Sequence, residues 1–293
     1  MKQIILSIIV LFFVTLLSAE AVEYGVSLIS TPVLNTPDFR SVFGGTSGVA
    51  LRTDRCGQLR ELEYIALPGT VFTIQKKLPY GSTTIYQVKT DEYIALSNTM
   101  LYVESRFLRL SQSPLSPRQA LLPSREAVIS ALVAAVGSRY VWGGNVPDGV
   151  PELSAWFYKD ILEKERGRLT LAGLDCSGLL YHATDGWTPR NTAQLLRYGQ
   201  GVAIAGKSSG DIANSLRPLD LIVWNGHVII VLDQQTAIES RLECGKPGNG
   251  GVTITSLTQR ITEIMRTRHY VNVWPNGKKH NDIFVVRRWY PDR

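Results

Sequence analysis

Leu174-Asp175-Cys176-Ser177-Gly178 sets one cysteine between a carboxylate and a hydroxyl, and Gly178-Leu179-Leu180-Tyr181-His182-Ala183 continues it as the opening of a helix. The first turn of a helix has unpaired N–H groups and the positive end of the macrodipole, and both favour a thiolate over a thiol. A free thiol titrates near about 8.5, so few such groups are ionised at neutral pH without help. A small buried cysteine that merely packs explains the residue equally well when it is taken alone.

The stretch Leu221-Ile222-Val223-Trp224-Asn225-Gly226-His227-Val228-Ile229-Ile230-Val231-Leu232 shifts that balance. Two apolar, β-branched runs flank Asn225-Gly226, the strongest short signal for a tight hairpin. His227 follows the turn, at the mouth of a sheet. A lone histidine is more often structural than a base, but a cysteine nucleophile needs such a base nearby in space. With the next turn centred on Asp233, Glu239 lies opposite His227 on the same face of the sheet. A shift of half a register step puts it on the other face, because side chains alternate with period two. On the first register Glu239 orients the imidazole and favours its charged form; on the second it is an ordinary surface glutamate.

The ordered pieces resemble the NlpC/P60 family of cell-wall peptidases over roughly residues 124–293. The resemblance rests on Asp175-Cys176-Ser177-Gly178, on His227 opening an apolar strand, and on Tyr140-Val141-Trp142-Gly143-Gly144. Pro189-Arg190-Asn191-Thr192-Ala193-Gln194, Pro218-Leu219-Asp220-Leu221 and Phe284-Val285-Val286-Arg287-Arg288 extend it. It implies an α+β, papain-like catalytic domain that cleaves peptide stems of peptidoglycan between γ-D-glutamate and a diamino acid, without metal or organic cofactor. Cys176, His227 and Glu239 take the catalytic positions; Asp175, Ser177 and Trp142 fall at substrate-binding ones.

Three features depart from the family pattern. Its third catalytic position is more often histidine than glutamate. Leu219 replaces a usual glycine at a turn. The chain from Gly144 to Leu174 is long, and Val150 to Glu165 reads as a short amphipathic helix whose aromatics cover core surface or wall a groove.

Residues 22–110 carry short strand-like runs broken by turns: Val71-Phe72-Thr73-Ile74, Thr84-Ile85-Tyr86-Gln87-Val88 and Met100-Leu101-Tyr102-Val103. They resemble the small all-β SH3-like barrel that precedes such peptidases, joined by a proline- and serine-rich linker over 111–123. In that layout the barrel supplies a tyrosine to the groove, and Tyr64, then Tyr86, are the candidates. With Asp175 and Ser177 this tyrosine would grip the free amine of an N-terminal L-alanine. Capped stems would then leave Asp175 unpaired at a cost of about 1–3 kcal/mol. Ser124-Arg125-Glu126 caps a helix with Val128, Ile129, Leu132, Val133 and Val136 on one stripe, ended by Gly137.

Lys2, the apolar run Ile4 to Leu17, and Ala19-Glu20-Ala21 read as an export signal cleaved after residue 21, so the expected location is periplasmic or secreted. The run is short for a stable membrane span. Of three cysteines, a Cys56–Cys244 pair would spare Cys176; two free thiols are the alternative. His182, His269 and His280 have no metal-ligand spacing with Cys56 or Cys244. The net charge of +6 suits an anionic wall polymer or membrane surface, and no basic-aromatic array points to nucleic acid. The resulting expectation is a cysteine endopeptidase acting on stem peptides. A related amidase or acyltransferase and a non-catalytic wall-binding protein are the other classes. Oligomeric state is not encoded in any motif.

Overall fold

A computed structural model describes residues 23–95, 98–277 and 280–291. The segment read as an export signal lies outside them. The fold is mixed α/β and mostly sheet, with two seven-stranded sheets and short helices. Among the described residues no helix is long and apolar enough to cross a membrane.

The first sheet contains β1 (Glu23–Ser27), β2 (Thr31–Leu34), β3 (Leu62–Ala66), β4 (Val71–Tyr80), β5 (Thr83–Lys89), β6 (Leu101–Glu104) and β7 (Leu108–Ser111), all antiparallel. Its order is β3-β2-β6-β5-β4-β1-β7, and among the described residues no pairing joins β3 to β7. The sheet is therefore open where a barrel was expected. The free edge of β3 is occupied by a side chain from the second half of the chain. Asn145 Oδ1 accepts from Ile65 N at 3.0 Å and its Nδ2 donates to Ile65 O at 2.8 Å. A carboxamide thus stands in for one residue of a neighbouring strand and satisfies both backbone groups.

The second sheet contains β8 (Gln200–Gly201), β9 (Leu221–Trp224), β10 (His227–Val231), β11 (Thr236–Leu242), β12 (Gly250–Ser256), β13 (His269–Tyr270) and β14 (Ile283–Arg288). The path is β8-β14-β9-β10-β11-β12, with β13 parallel to β14. Helices α1 (Arg125–Ala134) and α2 (Cys176–Ala183) pack on the face formed by Leu221, Val223, Val228 and Ile230. Helices α3 (Ser209–Ser215) and α4 (Leu257–Met265) cover Ile222, Ile229, Val231 and Ala237 on the other. Coverage on both faces explains why β9 and β10 read as unbroken apolar runs instead of alternating ones.

On α1 the stripe is narrower than its spacing predicts. Ser124 caps it by accepting from Ala127 N, and Val128 and Leu132 are fully buried, but Val133 and Val136 face solvent. Over 150–165 the chain forms two short helices, Glu152–Phe157 and Glu163–Leu169, instead of one; Asp160 between them has φ 41°. Phe157 meets the rings of Phe39 and Phe43, and Trp156 meets Phe107, so this insert completes the core under the first sheet.

Leu219, at the turn where a glycine is usual, has φ 71° and is fully buried. A left-handed leucine costs roughly 1–2 kcal/mol, while its burial contributes roughly 1.5–3 kcal/mol. The side chain offsets the strain of the backbone that holds it.

The halves are also joined covalently. Cys56 and Cys244 form a disulfide across 188 residues and leave Cys176 as the free cysteine. In a chain-entropy picture a loop of that length contributes on the order of 5 kcal/mol. The linker residue Arg118 is fixed too, its Nη1 donating to Asp185 O at 2.9 Å.

Candidate active site

Asp175 has extended backbone angles and caps α2, its Oδ1 accepting from Gly178 N at 2.6 Å. This seats Cys176 at the first helical position, with its Sγ 3.8 Å from the Gly226 carbonyl of the β9–β10 turn. Gly178 is required there, because a Cβ would lie 2.0 Å from Gly144 O. The helix start and the hairpin mouth therefore converge on the thiol, and Cys176 is close enough to His227 to favour its charged form.

The β10–β11 register pairs Ile230 with Ile238 and Val231 with Ala237. Its turn is centred on Gln234, not Asp233, because the Asp233 carboxylate accepts from the backbone N–H of both Gln235 and Thr236. Glu239 therefore reaches His227 diagonally, still on the same face. His227 Nε2 donates to Glu239 Oε2 at 2.7 Å, which leaves Nδ1 as the ring atom for the thiol. Glu239 is completely buried, and Arg260 of α4 grips it through Nε to Oε1 at 2.6 Å and Nη2 to Oε2 at 3.0 Å.

Burial disfavours the imidazolium, but the hydrogen bonds and charges of Cys176 and Glu239 outweigh it and raise the His227 pKa to about 9. For Glu239, burial pushes upward while His227 and Arg260 pull harder, bringing its pKa to about 2. Since His227 is raised above its ordinary 6.5, its contribution to stability is complete below that pH and is lost as pH rises through about 9. The margin in melting temperature of the parent over His227→Ala should be constant from pH 5 to about 6.5 and shrink toward pH 9 to 10. A margin that grows over that interval contradicts the ion-paired imidazolium.

Asp175 and Ser177 are brought beside Cys176, but both are already partnered. Arg190, 2% exposed, donates Nη2 to Asp175 Oδ2 at 2.7 Å, Nη1 to Oδ1 at 3.0 Å and Nη1 to Ser177 Oγ at 3.0 Å. Gly143 N adds a bond to Asp175 Oδ2 at 3.0 Å. The expected cost of leaving Asp175 unpaired by a capped substrate therefore does not arise.

Trp142 lies 40% exposed, its backbone N–H donating to Gln58 Oε1 and the Arg60 guanidinium 4.4 Å above its ring. Tyr64 does not face a groove. It is fully buried on β3 and stacked at 4.4 Å on Tyr93, because its ring completes the core of the first half. Tyr86 is likewise buried. Tyr93 is buried to the same degree as Tyr86; its hydroxyl donates to Glu63 Oε2 at 2.7 Å and lies near Arg190 and the Asn191 side chain.

Sequence reasoning gave no role to Asn145, Arg190 or Arg260. Arg190 belongs to the Pro189-Arg190-Asn191-Thr192-Ala193-Gln194 motif. Arg260 had a fainter signal, a cation three residues after Leu257 and four before Ile264, on the buried stripe of α4. Among the described residues no group of three or more His, Cys, Asp or Glu side chains is placed to hold a metal ion.

No family model and no curated protein matches the chain. Among solved structures it is similar to an NlpC/P60 family protein from Bacillus cereus, at 14% identity and TM-score 0.34 over 92% of this chain and 64% of that one. The chain thus spans less than two thirds of that protein's length. NlpC2 from Trichomonas vaginalis matches at 13% identity and TM-score 0.33, over 92% of this chain and 73% of that one. RipD from Mycobacterium tuberculosis, a non-catalytic NlpC/p60 domain protein adapted to peptidoglycan binding, matches at 20% identity and TM-score 0.29, over 45% and 92%. At such TM-scores these likenesses decide neither activity nor fold, and the chemistry is argued from the side chains.

Proposed function

We propose that the protein is an exported cysteine endopeptidase that hydrolyses the γ-D-glutamyl–diamino acid bond of peptidoglycan stem peptides. The observation that carries the chemistry is the line Cys176–His227–Glu239, with a thiol at a helix start and a 2.7 Å bond from the imidazole to a buried carboxylate. The substrate comes from the resemblance of the motifs to the NlpC/P60 peptidases.

In this reading the Cys176 thiolate attacks the γ-carbonyl carbon, and the backbone N–H of Cys176 holds the oxyanion, since that of Gly178 is already taken by Asp175. The imidazolium of His227 gives its proton to the leaving amine as the C–N bond breaks, leaving an acyl-thioester. Water then attacks the thioester, His227 takes its proton, and the C–S bond breaks to release the acid and regenerate the thiolate–imidazolium pair. Glu239 keeps the ring oriented throughout.

Asp175 meets a substrate amine as a neutralised Asp–Arg pair, so this carboxylate alone gives little preference for a free amine.

The test is incubation with L-Ala-γ-D-Glu-diaminopimelate and its N-acetylated form, beside Cys176→Ala, with products read by mass spectrometry. Release of diaminopimelate by the parent only is the expected result. Cleavage at another acyl bond would indicate an amidase or acyltransferase, and binding of peptidoglycan without any Cys176-dependent product would indicate a wall-binding protein.

A further inference from the structure

Glutamate stands where the resembled family more often has histidine, and a second cation stands behind it. Arg260 approaches Glu239 as a fork, 2.6 Å to Oε1 and 3.0 Å to Oε2, and is itself held by Glu263 at 3.2 Å from its Nη1. Such a fork fixes the plane of a carboxylate as well as its charge, so Oε2 is aimed at His227. Arg241 is a looser neighbour, its Nη1 3.8 Å from Oε1 and its side chain 35% exposed.

We propose that Arg260 is a positioning residue for His227, acting through Glu239, and that the two form a unit in which neither can be exchanged alone. The inference rests on the cysteine-nucleophile reading but not on the identity of the peptide. The charged groups around the imidazole are Cys176 from α2, Glu239 and Arg241 from β11, Arg260 and Glu263 from α4, and Arg268 beyond α4, over the Trp224 ring that packs on His227. Removing the glutamate charge by itself takes away one of the two partners that favour the imidazolium and leaves Arg260 without the carboxylate it grips. Removing Arg260 as well takes away the charge that has lost its carboxylate. A histidine at position 239 offers no carboxylate for the Arg260 fork, so the arginine and the acidic residue belong together.

Iodoacetamide alkylation of Cys176 against pH tests this without a peptide substrate, since Cys56 and Cys244 are paired with each other. At pH 7, Glu239→Gln should slow alkylation about tenfold, and Glu239→Gln/Arg260→Met should recover about threefold of that loss. Arg260→Met alone should move the acid limb of the profile upward, because the guanidinium no longer holds the Glu239 carboxyl down, and Arg260→Lys, which keeps the charge but not the fork, should move it in the same direction by less. Near-UV circular dichroism checks folding, and Arg260→Lys carries the comparison if the methionine variant does not fold. A double variant as slow as Glu239→Gln, or an acid limb unmoved in a folded Arg260→Met, overturns the proposal. Alkylation of His227→Ala as fast as the parent overturns the Cys–His reading beneath it, whatever Arg260 does.

Discussion

His227→Ala is expected to lower kcat/KM for stem-peptide cleavage by about four orders of magnitude while the protein stays folded. In the proposed mechanism the ring has two tasks, holding a positive charge beside the nucleophile and delivering a proton to the leaving amine. His227 opens β10 with its neighbour Val228 fully buried, so the strand persists when the ring is removed. The melting temperature should fall by a few degrees at neutral pH, because Glu239 keeps Arg260 as a partner. A loss of activity below about tenfold would place the base elsewhere.

Arg190→Met is expected to cost about 3–5 kcal/mol in unfolding free energy. Its guanidinium is 2% exposed and bonds to Asp175, Ser177, Asn145 and Gly144, so truncation leaves a buried carboxylate without its counter-charge. The effect reaches the chemistry, because Asp175 caps the helix that begins at Cys176. It also reaches the junction between the halves, because Asn145 Oδ1 serves both Arg190 Nε and the β3 edge. Asp175→Asn/Arg190→Met should be less destabilised than the sum of the two single variants, since the pair leaves together. Urea unfolding measures both quantities; a cost under 1 kcal/mol for Arg190→Met contradicts the buried-pair account.

Much of this site was legible in the chain. A carboxylate one residue before a helix start, a histidine after an Asn-Gly turn and a glutamate twelve residues on each follow local rules, and those rules survive folding. The exact turn did not, because two backbone bonds to Asp233 moved its centre by one residue without changing the face of Glu239. Tyr64 misled because an aromatic on a strand reads alike whether it faces a groove or a core. The open edge of the first sheet was hidden for a related reason. That edge is capped at Ile65 by Asn145, eighty residues away, and no local pattern marks an amide as a surrogate strand. Arg190 and Arg260 were hidden because they act on residues already singled out, and a basic side chain shows nothing of its partner in sequence.

The most direct measurement is intact-mass analysis of the protein quenched in acid during turnover of L-Ala-γ-D-Glu-diaminopimelate. The account predicts a covalent L-Ala-γ-D-glutamyl adduct that maps to Cys176, is absent from Cys176→Ala, and disappears as the free dipeptide accumulates. Diaminopimelate released at an undiminished rate by Cys176→Ala, with no adduct on the parent, would contradict it.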